Sequence, residues 1–133
     1  MRPSVVALLV VHTFLTPIIA RSEVVRMKVT AYCACGKCCG WSNRGGVPKD
    51  HRTGKRKVVG KTSSGVMAGK GTAAADLRYY GYGTKMNIPG YGTVRIQDKG
   101  SAITGKTRIE IFFPTHRQAL RWGVRYLNVE VQR

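Results

Sequence analysis

Short apolar segments with partial alternation of apolar and polar residues recur from residue 24 onward. Alternation over four to eight residues is typical of half-buried β-strands. Glycine and proline separate the segments and predict tight turns between the strands. The predicted strands are 24–32, 85–88, 92–97, 108–113 and 126–131, with a run of small residues at 71–76. Many short strands joined by glycine turns favour a β-barrel over a sandwich of long hairpins.

One short helix is predicted near the C-terminus. Thr115 can cap its first turn, with Gln118 three residues later in the capping-box position, and Gly123 is a natural end. His116 would then open the helix, with a place in a ligand groove as the alternative. With 133 residues, the chain has room for one compact domain.

The N-terminus has the pattern of an export signal. Arg2 precedes an apolar core at residues 5–11, and Ala20 is a suitable small residue before a cleavage site. We therefore expect a signal peptide at 1–20, with an uncleaved anchor as the alternative. The expected location is the periplasm or cell envelope, association with the outer membrane included. The first cysteine is Cys33, so lipid anchoring through a cysteine directly after the signal is not expected.

The chain is strongly basic, with 23 Lys and Arg against 6 Asp and Glu and a net charge of +17. A field of that sign attracts polyanions, and export favours acidic envelope polymers over nucleic acid. Nucleic-acid binding is kept as an alternative that would require a cytosolic protein. Seven of the 23 Lys and Arg residues lie in a basic segment at 41–61, which we interpret as a solvated loop rather than a dedicated binding patch.

Three of the few acidic residues stand at the edges of apolar strand segments: Asp76, Asp98 and Glu110. A carboxyl group beside a cleft is partly desolvated, which raises its pKa and suits it to general acid catalysis. The structural alternative is that these side chains accept backbone hydrogen bonds in turns.

Four cysteines cluster within residues 33–39, namely Cys33, Cys35, Cys38 and Cys39. In an exported chain they favour two disulfides. A bond between Cys38 and Cys39 is sterically poor, which leaves Cys33–Cys38 with Cys35–Cys39, or Cys33–Cys39 with Cys35–Cys38. The rival interpretation is a tetrahedral zinc site, in which His51 could replace one thiolate. Four thiolates within seven residues are crowded for zinc, so disulfides are preferred and no metal is assigned.

Ordered blocks between residues 28 and 131 resemble the 3D (three-aspartate) domain family. The blocks are Val29-Thr-Ala-Tyr32, Thr62-Ser-Ser-Gly65, Gly71-Thr-Ala-Ala-Ala-Asp76, Gly83-Thr84, Ile88-Pro-Gly-Tyr-Gly92, Asp98-Lys-Gly-Ser-Ala-Ile103, Arg108-Ile-Glu110 and Phe113-Pro-Thr-His116. The resemblance implies a mainly β fold, a six-stranded double-psi β-barrel with one short helix near the C-terminus, over residues 24–133. That barrel is similar to those of membrane-bound lytic transglycosylase A and of wall-acting stationary-phase proteins.

The resemblance also implies lytic transglycosylase activity in peptidoglycan turnover, with cleavage of O-glycosyl bonds and a 1,6-anhydro product. The family's third aspartate, expected to be the acid/base, falls on Glu110. Asp98 would orient it or support the developing charge, and Asp76 would brace the cleft. Residues expected to contact the substrate are Thr62, Ser64, Gly65 and Gly100. Glycan strands are the expected partner, the protein is expected to be a monomer, and no cofactor is required.

Two departures from the family pattern bear on activity. Position 110 is Glu, one methylene longer than Asp, and the segment from Asp98 to Glu110 is one residue longer than usual, around residues 104–107. An extra residue within a strand would turn every later side chain to the other face. We expect the loop to absorb it. An expansin-like peptidoglycan-binding module without turnover is the alternative function.

Overall fold

A computed structural model describes residues 21–132, so the signal peptide predicted at 1–20 lies outside the described residues. The elements are β1 (Ser22–Tyr32), α1 (Gly36–Cys39), β2 (Trp41–Arg44), β3 (Val47–Asp50), β4 (Thr72–Ala75), β5 (Lys85–Ile88), β6 (Gly92–Asp98), β7 (Arg108–Phe112), α2 (His116–Trp122) and β8 (Arg125–Gln132). Within these residues, no helix is long and apolar enough to cross a membrane.

Six strands close into a barrel in the order β1-β7-β4-β6-β5-β8. Two neighbouring pairs are parallel, β1 with β7 and β4 with β6, and the other four pairs are antiparallel. The expected mainly β fold, a six-stranded double-psi barrel with a short helix near the C-terminus, is confirmed.

The core fills the barrel with alternate side chains from the long strands. Each of these strands contributes residues at spacing two, as the pleat requires. The inward pairs are Met27 and Val29, Met86 and Ile88, Val94 and Ile96, Ile109 and Ile111, and Val129 and Val131. All four residues of β4, which pairs with β6 and β7, are small and buried.

Helix α2 forms where the sequence predicts a helix, and it packs against β1. The Thr115 side chain accepts a hydrogen bond from the backbone N–H of Gln118, and the Gln118 side chain accepts from the Thr115 backbone, which completes the capping box. Gly123 ends the helix with a φ of 65°. Trp122 packs into the core and its indole N–H donates to the carbonyl oxygen of Val29 at 3.3 Å, so the helix is fixed directly on β1.

The basic segment 41–61 is not merely a loop, which corrects the sequence-based interpretation. Strands β2 and β3 pair there as an antiparallel hairpin, and its turn is Gly45–Gly46, with φ values of 62° and 77°. Two consecutive residues with positive φ are what a type I′ hairpin turn requires. The hairpin escaped prediction because its strands are short and charged and contain Pro48, a residue uncommon within strands.

Candidate active site and a neighbouring cysteine cluster

A groove of about 960 Å³ lies between the barrel wall, with Ala74 of β4 and Phe112 of β7, and the segment that follows β1. Its lining includes two of the three predicted carboxylates, Asp98 and Glu110. Cationic side chains surround them: Lys37, Arg52, Lys57, Lys61 and Lys99. The groove is therefore suited to a polar ligand that carries negative charge along its flanks.

Glu110 lies in the middle of β7, opposite Thr30 of β1 and Ala74 of β4. Its neighbours Ile109 and Ile111 point into the core, so strand alternation turns Glu110 towards the groove. The extra residue near 104–107 is thus absorbed before β7 begins, as expected. Glu110 is half-buried, and burial raises its pKa, with the negative charge of Asp98 acting in the same direction. A carboxyl group of this kind holds its proton more readily than one in water.

Asp98 ends β6 and is fixed by three hydrogen bonds. Its Oδ1 accepts from the backbone N–H of Ser63 at 3.0 Å and of Lys99 at 2.9 Å. Its Oδ2 accepts from the hydroxyl of Tyr32 at 3.1 Å. Burial raises the pKa of Tyr32, and the charge of Asp98 raises it further, so Tyr32 remains a hydrogen-bond donor. Tyr32 also lines the groove and was missed as a site residue by sequence reasoning.

Gly100, which the sequence predicts as a substrate contact, lines the groove next to Glu110. A Cβ at this position would lie 2.9 Å from Cγ1 of Ile103 and 3.8 Å from Oε2 of Glu110. The turn holds this approach through a hydrogen bond from the N–H of Ile103 to the carbonyl oxygen of Gly100. The missing side chain therefore keeps the space beside the Glu110 carboxyl open.

Asp76 has a different position from the other two carboxylates, since it is not among the residues that line the groove. It is buried at the end of β4, where Oδ2 accepts from Arg78 at 2.6 Å and from the N–H of Gly105 at 2.7 Å. The hydrogen bond from the Arg78 side chain, followed by that from Gly105, holds the Asp76 pKa well below its usual range. Asp76 therefore ties the loop before β7 to β4, a bracing position rather than a catalytic one.

The predicted substrate-contact block at 62–65 lines the groove only in part. Thr62 lines the groove, and so does Ser63, which sequence reasoning did not select. Ser64 and Gly65 lie outside the lining. The Ser64 hydroxyl instead bonds that of Thr62 at 3.1 Å, and its N–H donates to Gln97. Only the first two residues of the block therefore line the groove, a division that the sequence block by itself does not specify.

The cysteine cluster lies along one wall of the groove, and all four cysteines are free in the structure. The predicted disulfides are therefore absent from it: Cys33 Sγ and Cys38 Sγ are 3.6 Å apart, whereas a disulfide needs about 2.05 Å. Cys39 is turned away from the others, and its thiol donates to the carbonyl oxygen of Cys33. Burial raises the pKa of Cys39 to about 11. Burial also acts to raise the pKa of Cys35, but hydrogen bonds from Cys33 and from the backbone of Cys38 outweigh it and lower that pKa.

His116 completes the cluster from the start of α2. Its Nδ1 lies 3.9 Å from Cys33 Sγ, 3.5 Å from Cys35 Sγ and 3.4 Å from Cys38 Sγ. These four side chains can hold a metal ion, since their ligand atoms all lie within 4.8 Å of one another. Sequence reasoning placed His116 correctly at the helix start but missed this contact, and it proposed His51, which is not one of the four clustered side chains.

Residues 71–133 match the family model of the 3D domain. Among characterised sequences, the chain is 29% identical over 110 residues to YabE of Bacillus subtilis, whose name refers to cell wall shaping. That match covers 82% of this chain and 23% of YabE. It is also 32% identical over 78 residues to the cell wall-binding protein YocH of the same organism, over 56% of this chain and 27% of YocH. The chain thus spans about a quarter of the length of these relatives.

Among solved structures, the chain is similar to MltA from Escherichia coli, whose structure is described as a lytic transglycosylase fold. The TM-score is 0.45 and the identity 23%, over 55% of this chain and 27% of MltA.

Proposed function

Because residues 71–133 match the family model of the 3D domain, we propose that this protein acts on bacterial peptidoglycan and cleaves O-glycosyl bonds of its glycan strands in peptidoglycan turnover. The observation that carries the proposal is Glu110, a half-buried carboxyl group with a raised pKa that faces a basic groove beside Asp98. A raised pKa favours the protonated form of the carboxyl group, and protonation of a glycosidic oxygen requires that form.

The proposed reaction is a lytic transglycosylation with Glu110 as the single acid/base. The Glu110 carboxyl gives its proton to the glycosidic oxygen, and the bond from that oxygen to the anomeric carbon of N-acetylmuramic acid breaks. The resulting carboxylate then takes the proton of the muramoyl 6-hydroxyl as that oxygen bonds the anomeric carbon. Glu110 regains its proton, a 1,6-anhydro product forms, and no water is consumed. Ordinary glycosidases use two carboxyl groups instead.

Asp98 supports this reaction as a fixed negative charge rather than as a second acid. Its three hydrogen-bond donors suit a carboxylate, and its charge helps to keep the proton on Glu110. The same charge would favour the oxocarbenium-like transition state. Tyr32 and Ser63 position Asp98, and Asp76 positions the loop that leads to Glu110.

The basic groove supports a substrate with acidic parts, as peptidoglycan stem peptides have, and acidic envelope polymers would be attracted by the same charge. The names of YabE and YocH, which refer to the cell wall, support an envelope location after export. Nucleic acid is not the proposed partner, and the protein is proposed to act as a monomer.

Product analysis on peptidoglycan sacculi tests the proposal. Wild type is expected to release 1,6-anhydro-muropeptides, detected by mass spectrometry, and Glu110→Gln is expected to release none. Glu110→Asp restores the acid with a shorter reach, so it should retain part of the activity. Glu130→Gln is the matched control, because Glu130 lies on β8 and does not line the groove. Reducing-end products would show hydrolysis and refute the proposed mechanism.

A peptidoglycan-binding module without turnover is the second candidate. The observation that favours it is the match to YocH, which is named as a cell wall-binding protein. The same experiment separates the two functions. A wild-type protein that pellets with sacculi but releases no muropeptides, at any pH between about 4 and 8, would establish binding alone.

A further inference from the structure

We propose that Cys33, Cys35, Cys38 and His116 bind one zinc ion in a closed structural site that fastens a wall of the groove to the barrel. The inference does not depend on the proposed activity, because it rests on side chains that take no part in the reaction at Glu110. It revises the preference for disulfides that the sequence suggested.

The distances within the cluster match a tetrahedral site. Zinc binds thiolate sulfur at about 2.3 Å and imidazole nitrogen at about 2.0–2.1 Å, so tetrahedral edges are about 3.8 Å between sulfurs and about 3.6 Å from sulfur to nitrogen. The Cys33–Cys38 sulfurs are 3.6 Å apart. His116 Nδ1 lies 3.4 to 3.9 Å from the three sulfurs. The remaining sulfur–sulfur distances lie within 4.8 Å, so the four ligand atoms are close enough to share one ion.

The chemistry of the ligands points to zinc among the common metals. Three thiolates and one imidazole form a Cys₃His set, which is a standard structural zinc site, whereas magnesium and calcium select oxygen ligands. All four coordination positions are filled by the chain, so no position is left for a reacting water. The proposed ion would therefore have a structural rather than a catalytic role.

The fourth cysteine, Cys39, is not a ligand in the proposed site and instead links the cluster to the wall of the groove. Cys39 donates to the carbonyl oxygen of Cys33 at 3.2 Å, and its own carbonyl oxygen accepts from Nζ of Lys57 at 2.9 Å. Cys39 and Lys57 both line the groove. The ion would therefore join two parts of the chain. One is α2, which is fixed on β1 through Trp122, and the other is the cysteine segment that contacts Lys57 in this wall of the groove.

Metal content of the full-length chain tests the site. The protein is purified with reductant, loaded with Zn²⁺, freed of excess ion and analysed by elemental mass spectrometry. Wild type should retain about one zinc per chain. Cys38→Ser and His116→Ala should weaken zinc binding by more than about 100-fold, since even outer-shell partners contribute 10–100-fold. The matched controls Cys39→Ser and His51→Ala should retain wild-type zinc.

Cobalt(II) provides a second measurement on the wild-type chain, so the test does not depend on the folding of any variant. Bound to three thiolates in a tetrahedron, cobalt should give intense visible absorption that zinc abolishes by displacement. Failure of reduced wild type to retain zinc or to give this spectrum would overturn the inference. Equal loss of zinc in Cys39→Ser and Cys38→Ser, or wild type isolated with its cysteines paired as disulfides, would overturn it as well. None of these outcomes alters the product analysis, so the two proposals fail separately.

Discussion

Replacement of Tyr32 by Phe isolates the hydrogen bond that holds Asp98 in the groove. Tyr32 is 6% exposed, and its ring packs edge-on against Phe112, so Phe can keep the packing while the hydroxyl is lost. The lost contact is the 3.1 Å bond to Asp98 Oδ2, which leaves Asp98 with its two backbone donors. A hydrogen bond to a charged group contributes about 1.5–3 kcal/mol, and the lower end, about 1.5 kcal/mol, applies because water in the groove can replace the hydroxyl.

Thermal unfolding measures this change. One kcal/mol shifts the Tm of a domain of this size by about 4–8 °C, so Tyr32→Phe should lower Tm by about 6–12 °C. Tyr82→Phe is the control: its hydroxyl also donates to a side chain, Ser63 Oγ at 2.9 Å, but the residue is 47% exposed. Loss of that surface contact should change stability by less than about 0.5 kcal/mol.

A double-mutant cycle with Asp98→Asn assigns the effect to the pair. Because the Tyr32 hydroxyl acts on Asp98, the two substitutions together should cost less than the sum of their separate effects. A Tyr32→Phe variant as stable as Tyr82→Phe, or a coupling energy below about 0.5 kcal/mol, would refute the reasoning.

Two further predictions concern Glu110 and Gly100. The folded state raises the Glu110 pKa, so its ionisation above that pKa opposes folding. Glu110→Gln should therefore be more stable than wild type in urea at neutral pH, and the difference should shrink as pH falls towards the unfolded value of about 4.3; a variant less stable at neutral pH would contradict this. Gly100→Ala places a Cβ 2.9 Å from Ile103, so overpacking should cost about 1–3 kcal/mol. Gly81→Ala meets nothing within 4 Å and should be neutral or slightly stabilising; equal effects of the two would count against the close approach at Gly100.

The local residue pattern was sufficient to predict most of the barrel strands and helix α2, because alternation and capping are properties of neighbouring residues. The strand containing Ile109 and Ile111 and the capping box of Thr115 were predicted and are confirmed. The direction of Glu110 followed from the same alternation once the extra residue was assigned to the loop. The hairpin of β2 and β3 was not predictable in this way, since pairing across the glycine turn, rather than side-chain pattern, defines it.

At the site, the contacts that could not be predicted from the sequence are those between segments far apart along the chain. Cys38 and His116 are 78 positions apart, and only the packing of α2 on the barrel brings them together. Tyr32 and Asp98 are likewise 66 positions apart. In both cases the residue types were visible in the sequence, but the partner was not, and the sequence therefore favoured partners close along the chain, such as Cys39 and His51.

The position of β8 between β1 and β5 has a consequence for how the chain reaches its fold. Gln132 of β8 pairs with Ser22 of β1 and with Lys85 of β5. Strand β8 therefore pairs with residues that are far away along the sequence. Pairing over such separations is slow, because loop closure must occur before the contacts form. Until β8 arrives, β1 and β5 each present an open edge that can pair with another chain. Folding intermediates that lack β8 are thus the species in which association with other chains would begin.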